Sequence, residues 1–181
     1  MHPSLTETPA ISRRGLLKFS LGATAFLATA GLGASLAGCS SNVASDGFIV
    51  LRDGDLLFLR ALIPVMLDGA VVAEKMPAAV DGTLSSLDYS LDHVSPEMLK
   101  LTRQLFDVLG MAVTRGPLTG IWGSWENASP EAMRHFLERW VKSSLSLLRM
   151  GHSSLQQMVL MAWYSRAESW AHCGYPGAPK V

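Results

Sequence analysis

Ser95-Pro96-Glu97-Met98-Leu99-Lys100-Leu101-Thr102-Arg103-Gln104-Leu105-Phe106-Asp107-Val108-Leu109 is the stretch that decides the fold class. A serine oxygen can accept from the free amides of a first helical turn. Proline at the next position gives up a donor that has no partner there, and glutamate sits at the positive end of the dipole. Behind this start Leu101, Leu105, Leu109 and Ala112 recur at helical spacing and form the expected buried stripe, with Lys100, Arg103, Gln104 and Asp107 facing water. Ser129-Pro130-Glu131 repeats the signal, and Met133, Phe136, Leu137, Trp140, Ser144 and Leu147 trace one face behind it. Its other face carries Arg134, Glu138 and Lys142 at i to i+4 spacing.

Working outward, a further helix is expected from about Ser153 to Trp170, through Leu155, Met158, Val159, Ala162 and Trp163. Leu160, Met161 and Tyr164 widen its apolar arc, which predicts deep burial or cover by another protein. Upstream, Val80, Leu84, Leu87, Leu91 and Val94 mark a helix with Asp81, Ser85, Asp88 and Asp92 opposite; Gly82 weakens it. The first helix is expected after Asp53, apolar nearly all round and therefore central, with Pro64 ending or kinking it. Residues 114–128 hold Gly116, Pro117, Gly120 and Gly123 and are expected as a loop, in which Trp122 and Trp125 either pin the loop to the core or anchor an interface. No segment alternates with period two. The expectation is an all-α, bundle-like single domain of about five helices over residues 53–181, with residues 40–52 as a tether.

The N-terminus carries a different kind of signal. Ser12-Arg13-Arg14-Gly15-Leu16-Leu17-Lys18 precedes Phe19 to Gly38, an uncharged stretch diluted by Gly, Ala, Ser and Thr, and Leu36-Ala37-Gly38-Cys39 follows. Paired arginines before a weakly hydrophobic segment mark a bacterial twin-arginine (Tat) export signal over residues 1–39, and small residues before a cysteine mark a lipoprotein cleavage site. Arg13 and Arg14 are thus the export residues and Cys39 the lipidation residue, with the Tat translocase as transport partner and a periplasmic, membrane-anchored location. The alternative is an uncleaved anchor, since about 20 residues at roughly 1.5 Å each can span a bilayer core.

From Ser40 onward there are 12 basic and 14 acidic residues. That balance offers no basic stripe for nucleic acid. If Cys39 is lipidated, Cys173 is left over in an oxidising compartment, either buried and inert or bonded to another chain. His93, His135, His152 and His172 include no pair at i, i+3 or i+4, so no metal site is expected. Adjacent His172 and Cys173 do not form a nucleophile–base pair. No Cys-x-x-Cys-His, dinucleotide fingerprint or phosphate loop occurs. No catalytic, cofactor-binding or metal-ligating residue is therefore nominated, although a small site assembled from His135, Arg103 and Asp107 is a third possibility.

The C-terminus, Trp163-Tyr164-Ser165-Arg166-Ala167-Glu168-Ser169-Trp170-Ala171-His172-Cys173-Gly174-Tyr175-Pro176-Gly177-Ala178-Pro179, resembles the tail of the small, non-catalytic subunits of periplasmic flavin-dependent sugar and alcohol dehydrogenases, the gluconate 2-dehydrogenase subunit 3 type. The likeness extends to the leader, to Arg60-Ala61-Leu62-Ile63-Pro64 and to the region of Trp140. It implies an accessory and export-escort subunit for a large FAD-dependent dehydrogenase of the glucose-methanol-choline (GMC) type, with flavin and substrate held by that partner. It further implies a cytochrome c subunit as a second partner, and contact through Trp170, Cys173, Tyr175 and Pro176, with Cys173 available for an interchain disulfide. A lipobox is not a general feature of that family, and lipidation could take over the anchoring role of a cytochrome subunit. The tail's glycine and proline can instead serve only to end a helix. The reading from another class is a free-standing envelope lipoprotein acting as a structural or binding module.

Overall fold

Asp53–Met66 (α1), Met76–Asp92 (α2), Pro96–Gly110 (α3), Ala112–Thr119 (α4), Pro130–Val141 (α5), Ser146–Tyr164 (α6) and Ala167–Cys173 (α7) follow one another, with 3-10 turns at Ala73–Lys75 and Trp125–Asn127. The computed structural model describes residues 43–177, so Arg13, Arg14 and Cys39 lie outside the described residues. Every regular element among the described residues is helical, and the all-α expectation holds. The two Ser-Pro-Glu starts cap as read: Ser95 Oγ accepts from the Met98 amide at 3.3 Å and Ser129 Oγ from the Ala132 amide at 3.2 Å.

α1 is the central element. Its Phe58, Leu59, Leu62 and Ile63 are fully buried, and it packs on α2, α3, α5, α6 and the Trp125 turn. A line of buried rings crosses the core through it. Phe106 meets Phe58 at 5.0 Å between centroids, Phe58 meets Trp125 at 6.0 Å, Trp125 meets Phe136 at 6.2 Å and Phe136 meets Trp140 at 4.9 Å. The indoles do not leave their N–H groups unpaired: Trp125 Nε1 donates to the Leu109 carbonyl at 3.1 Å and Trp140 Nε1 to the Leu118 carbonyl at 2.9 Å. Each such aromatic pair adds about 0.5–1.5 kcal/mol to the burial of its rings.

The structure departs from the sequence reading at several places. α3 buries Thr102, Phe106 and Leu109 and leaves Leu101 59% exposed, a rotation by one residue that puts the larger Phe106 ring against Phe58. Residues 112–119 are helical, not loop; Gly120, with φ of 81°, ends that helix. Only Trp125 pins the following loop, since Trp122 is 77% exposed. α5 stops at Val141, so Ser144 and Leu147 do not extend its face. The last expected helix is two: α6 begins at Ser146 and breaks at Arg166, whose extended backbone (ψ 134°) precedes α7. Pro64 also falls two residues short of the end of α1, because the flanking Ile63 and Leu67 are fully buried and hold the last turn in place.

Residues ahead of α1, expected as tether, enter the core at Val50, Leu51 and Arg52. Asp88, expected on the solvent side of α2, is buried and accepts the amides of Ile49, Val50 and Leu51 at 2.7, 2.9 and 2.8 Å. Arg52 is also buried, with both arms of its guanidinium on Asp55 at 2.9 Å and Nη2 on Asp107 at 2.7 Å. Hydrogen bonding to Asp55, partly opposed by burial, holds that guanidinium above its ordinary pKa.

Replacing Asp88 by Ala strands three amides at once. Hydrogen bonds to a charged acceptor are worth about 1.5–3 kcal/mol each, and relaxation recovers part of that. Asp88→Ala is expected to lose about 3 kcal/mol and lower the melting temperature by roughly 10 °C, with Asp88→Asn losing less because one carbonyl oxygen remains. Thermal unfolding followed by circular dichroism measures both.

Candidate functional site

The tail residues nominated from sequence lie within a few residues of one another, and the chain folds them into one corner. Gly174 adopts φ of 71°, a left-handed conformation that closes α7 as glycine permits. The chain then turns back so that the Tyr175 amide donates to the Trp170 carbonyl at 3.0 Å. The Tyr175 ring meets the Trp170 ring edge-on at 5.3 Å, and the space at the Gly177 α-carbon is taken by the same indole. Trp170 Nε1 donates to the Tyr164 carbonyl at 3.2 Å, tying the corner to the end of α6. Pro176 is exposed between the two residues that pack on Trp170. Cys173 is a free, exposed thiol whose Sγ lies 3.4 Å from the Trp170 carbonyl.

A latch that the sequence reading missed holds this corner to the bundle. Arg166 crosses from the α6–α7 break to α2, where Nη1 donates to the Gly82 carbonyl at 2.8 Å and lies 3.5 Å from Ser86 Oγ. Its Nε donates to Glu168 at 2.7 Å, which holds that carboxyl below its ordinary value of 4.5. A Cβ at Gly82 would lie 2.3 Å from Arg166 Cζ. Gly82, an apparent weakness in the middle of a helix, is thus the seat of the latch. The signal available in sequence was only that oddity; its partner stands 84 residues away.

Beside the corner, the exposed face of α6 is almost free of charge. Leu147, Met150, Met161 and Tyr164 are 75%, 64%, 65% and 43% exposed, and Ser154 and Gln157 fill the same row. Arg149, the one lysine or arginine on α6, turns back to donate to the Ser143 carbonyl at 2.5 Å. Of the residues expected to widen the apolar arc of this helix, Met161 and Tyr164 are left to solvent, while Leu160 is half-buried against the core.

The scattered trio of His135, Arg103 and Asp107 is not assembled. Asp107 is engaged with Arg52, while His135 lines an open groove of about 750 Å³ with Arg139, Lys142, Glu138 and Ser143, which neither Arg103 nor Asp107 reaches. Arg139 there caps α4 by donating to the carbonyls of Pro117 and Leu118. No group of three or more His, Cys, Asp or Glu side chains at metal-binding spacing occurs among the described residues. None of their helices is long and apolar enough to cross a membrane. Comparison with protein-family models, with curated proteins and with solved structures finds no match for this chain.

The latch carries two expected outcomes. Gly82→Ala displaces Arg166 and should speed amide exchange across α7 by about tenfold while the core amides keep their protection. Because the folded carboxyl of Glu168 titrates below its ordinary value, the pair's contribution is complete above pH 4.5 and is lost as pH falls through the lowered value. Exchange measured at pH 6 and pH 3, corrected for intrinsic rates, should show α7 loosening ahead of α1 on acidification.

Proposed function

We propose that this chain is a non-catalytic accessory and export-escort subunit for a large FAD-dependent dehydrogenase of the GMC type acting on alcohols or sugars. The flavin and the substrate belong to that partner. Arg13 and Arg14 take the assembled pair through the twin-arginine route, which admits folded cargo, and Cys39 carries the lipid that holds it at the periplasmic face of the membrane. The observation that carries the reading is the run of uncharged exposed surface along α6 into the Trp170–Tyr175 corner. Ending α7 needs only Gly174. It does not require an aromatic pair braced from two sides at the surface, and braced aromatics are what a docking anchor uses. Cys173, an exposed thiol on the same short helix, would supply the covalent link to the partner.

The test is an affinity pull-down of the tagged full chain from periplasmic and membrane fractions, with reducing and non-reducing gels and an absorbance scan for flavin. Co-purification of a large yellow protein that has no leader of its own is expected. Trp170→Ala or Tyr175→Ala should weaken that association about thirtyfold, the equivalent of roughly 2 kcal/mol at an interface anchor. Cys173→Ser should abolish only the band that reduction splits. Recovery of the chain alone, without flavin, overturns the reading in favour of a free-standing envelope lipoprotein.

A further inference from the structure

Residues 108–125 form an 18-residue excursion, from the end of α3 through α4 to the Trp125 turn, whose only charged residue is Arg115. Arg115 is half-buried, with its guanidinium over the buried Trp125 ring at 5.9 Å. What the excursion presents instead is apolar: Met111 is 42%, Val113 74% and Trp122 77% exposed. Trp122 is not a loose side chain. Its ring lies over Gly116, where a Cβ would come within 2.5 Å of it, and Val113 lies one turn earlier on the same face of α4. The hydroxyl of Thr114 is turned away onto the carbonyls of Val108 and Met111.

The position of this patch relative to the chain's entry point identifies its occupant. Ser45 bonds to the Leu51 carbonyl and to Asp53, Arg52 bonds to Asp107, and the Met111 amide bonds to the Asp107 carbonyl. The N-terminal entry and the start of α4 therefore share one end of the bundle. Val43 follows Cys39 by four positions, a reach of at most about 14 Å. We infer that Met111, Val113 and Trp122 form a bilayer-contacting surface that seats in the interfacial region of the membrane to which Cys39 is anchored; the inference rests on the lipid-anchor part of the proposed function. Tryptophan with aliphatic neighbours and no charge is the composition that partitions into that region. Asp46 and Asp53 are exposed at the same end, which favours zwitterionic over anionic headgroups.

The full chain, exported, extracted from membranes and reconstituted into phosphatidylcholine vesicles, provides the test. Flotation reports the anchor, and quenching of tryptophan emission by brominated phosphatidylcholine reports the patch. Wild-type protein should float and show a quenchable component that Trp122→Ala loses and Trp170→Ala keeps. Flotation with equal quenching in wild type and Trp122→Ala overturns the bilayer contact alone and leaves the patch for a protein partner. Failure to float overturns the anchor and this inference together. Trp122 is outside the core, so the variant's unfolding temperature should match wild type and exclude misfolding as the cause.

Discussion

The rest of the bundle depends on the buried guanidinium of Arg52. Taking such an ion out of water costs several kcal/mol unless its donors are met, and here Asp55 takes two of them while Asp107 takes a third. The three residues belong to the entry segment, α1 and α3, so satisfying one charge fixes three elements against one another. Asp88 does the converse on the next face, an anion met by three successive amides. An apolar segment at 49–52 could slide along α2 at little cost. Three amides on one carboxylate admit one register.

Glycine placement extends the same logic to the large side chains. Gly82, Gly116 and Gly151 all lie inside helices, where glycine costs about 1 kcal/mol relative to alanine. Each is covered by a group that a Cβ would strike: Arg166 at Gly82, Trp122 at Gly116 and Trp140 at Gly151. The apparent breakers are contact points, and α5 lies against α6 because Trp140 fits over Gly151. Gly116 and Pro117 read as loop signals for the same reason. Local rules price the missing side chain without seeing the ring that replaces it.

How much was legible follows from sequence separation. The caps at Ser95 and Ser129 involve residues three apart and read correctly, as did the central, all-round apolar α1. That the tail's glycine can end the last helix was also legible, because Gly174 closes α7 locally, whereas the packing of Tyr175 on Trp170 was not read from the sequence. What failed was long-range. The face of α3 is set by Phe106 against Phe58, and a leucine repeat at 101, 105 and 109 is an equally good local pattern. Asp88 reads as one more solvent-side acid on α2 until residues 49–51 are laid against it, and Arg166 has no local reason to leave its own helix.

The two exposed surfaces also differ in a way that assigns them different occupants. The α6 row alternates methionine, leucine and tyrosine with Ser154 and Gln157, groups that need hydrogen-bond partners once water is removed. A protein surface can supply those partners, and neutral, flexible, Met-bearing contacts are suited to such packing. The α4 patch offers little to pair: the hydroxyls of Thr114 and Thr119 are satisfied within the chain, its one cation, Arg115, lies against the Trp125 ring, and the Trp122 indole N–H is its remaining donor. Covering it with a polar partner would desolvate that partner without return, whereas the interfacial region of a bilayer loses little. On the proposed reading of a tethered accessory subunit, the first surface would hold its cargo and the second would set the cargo's orientation at the membrane.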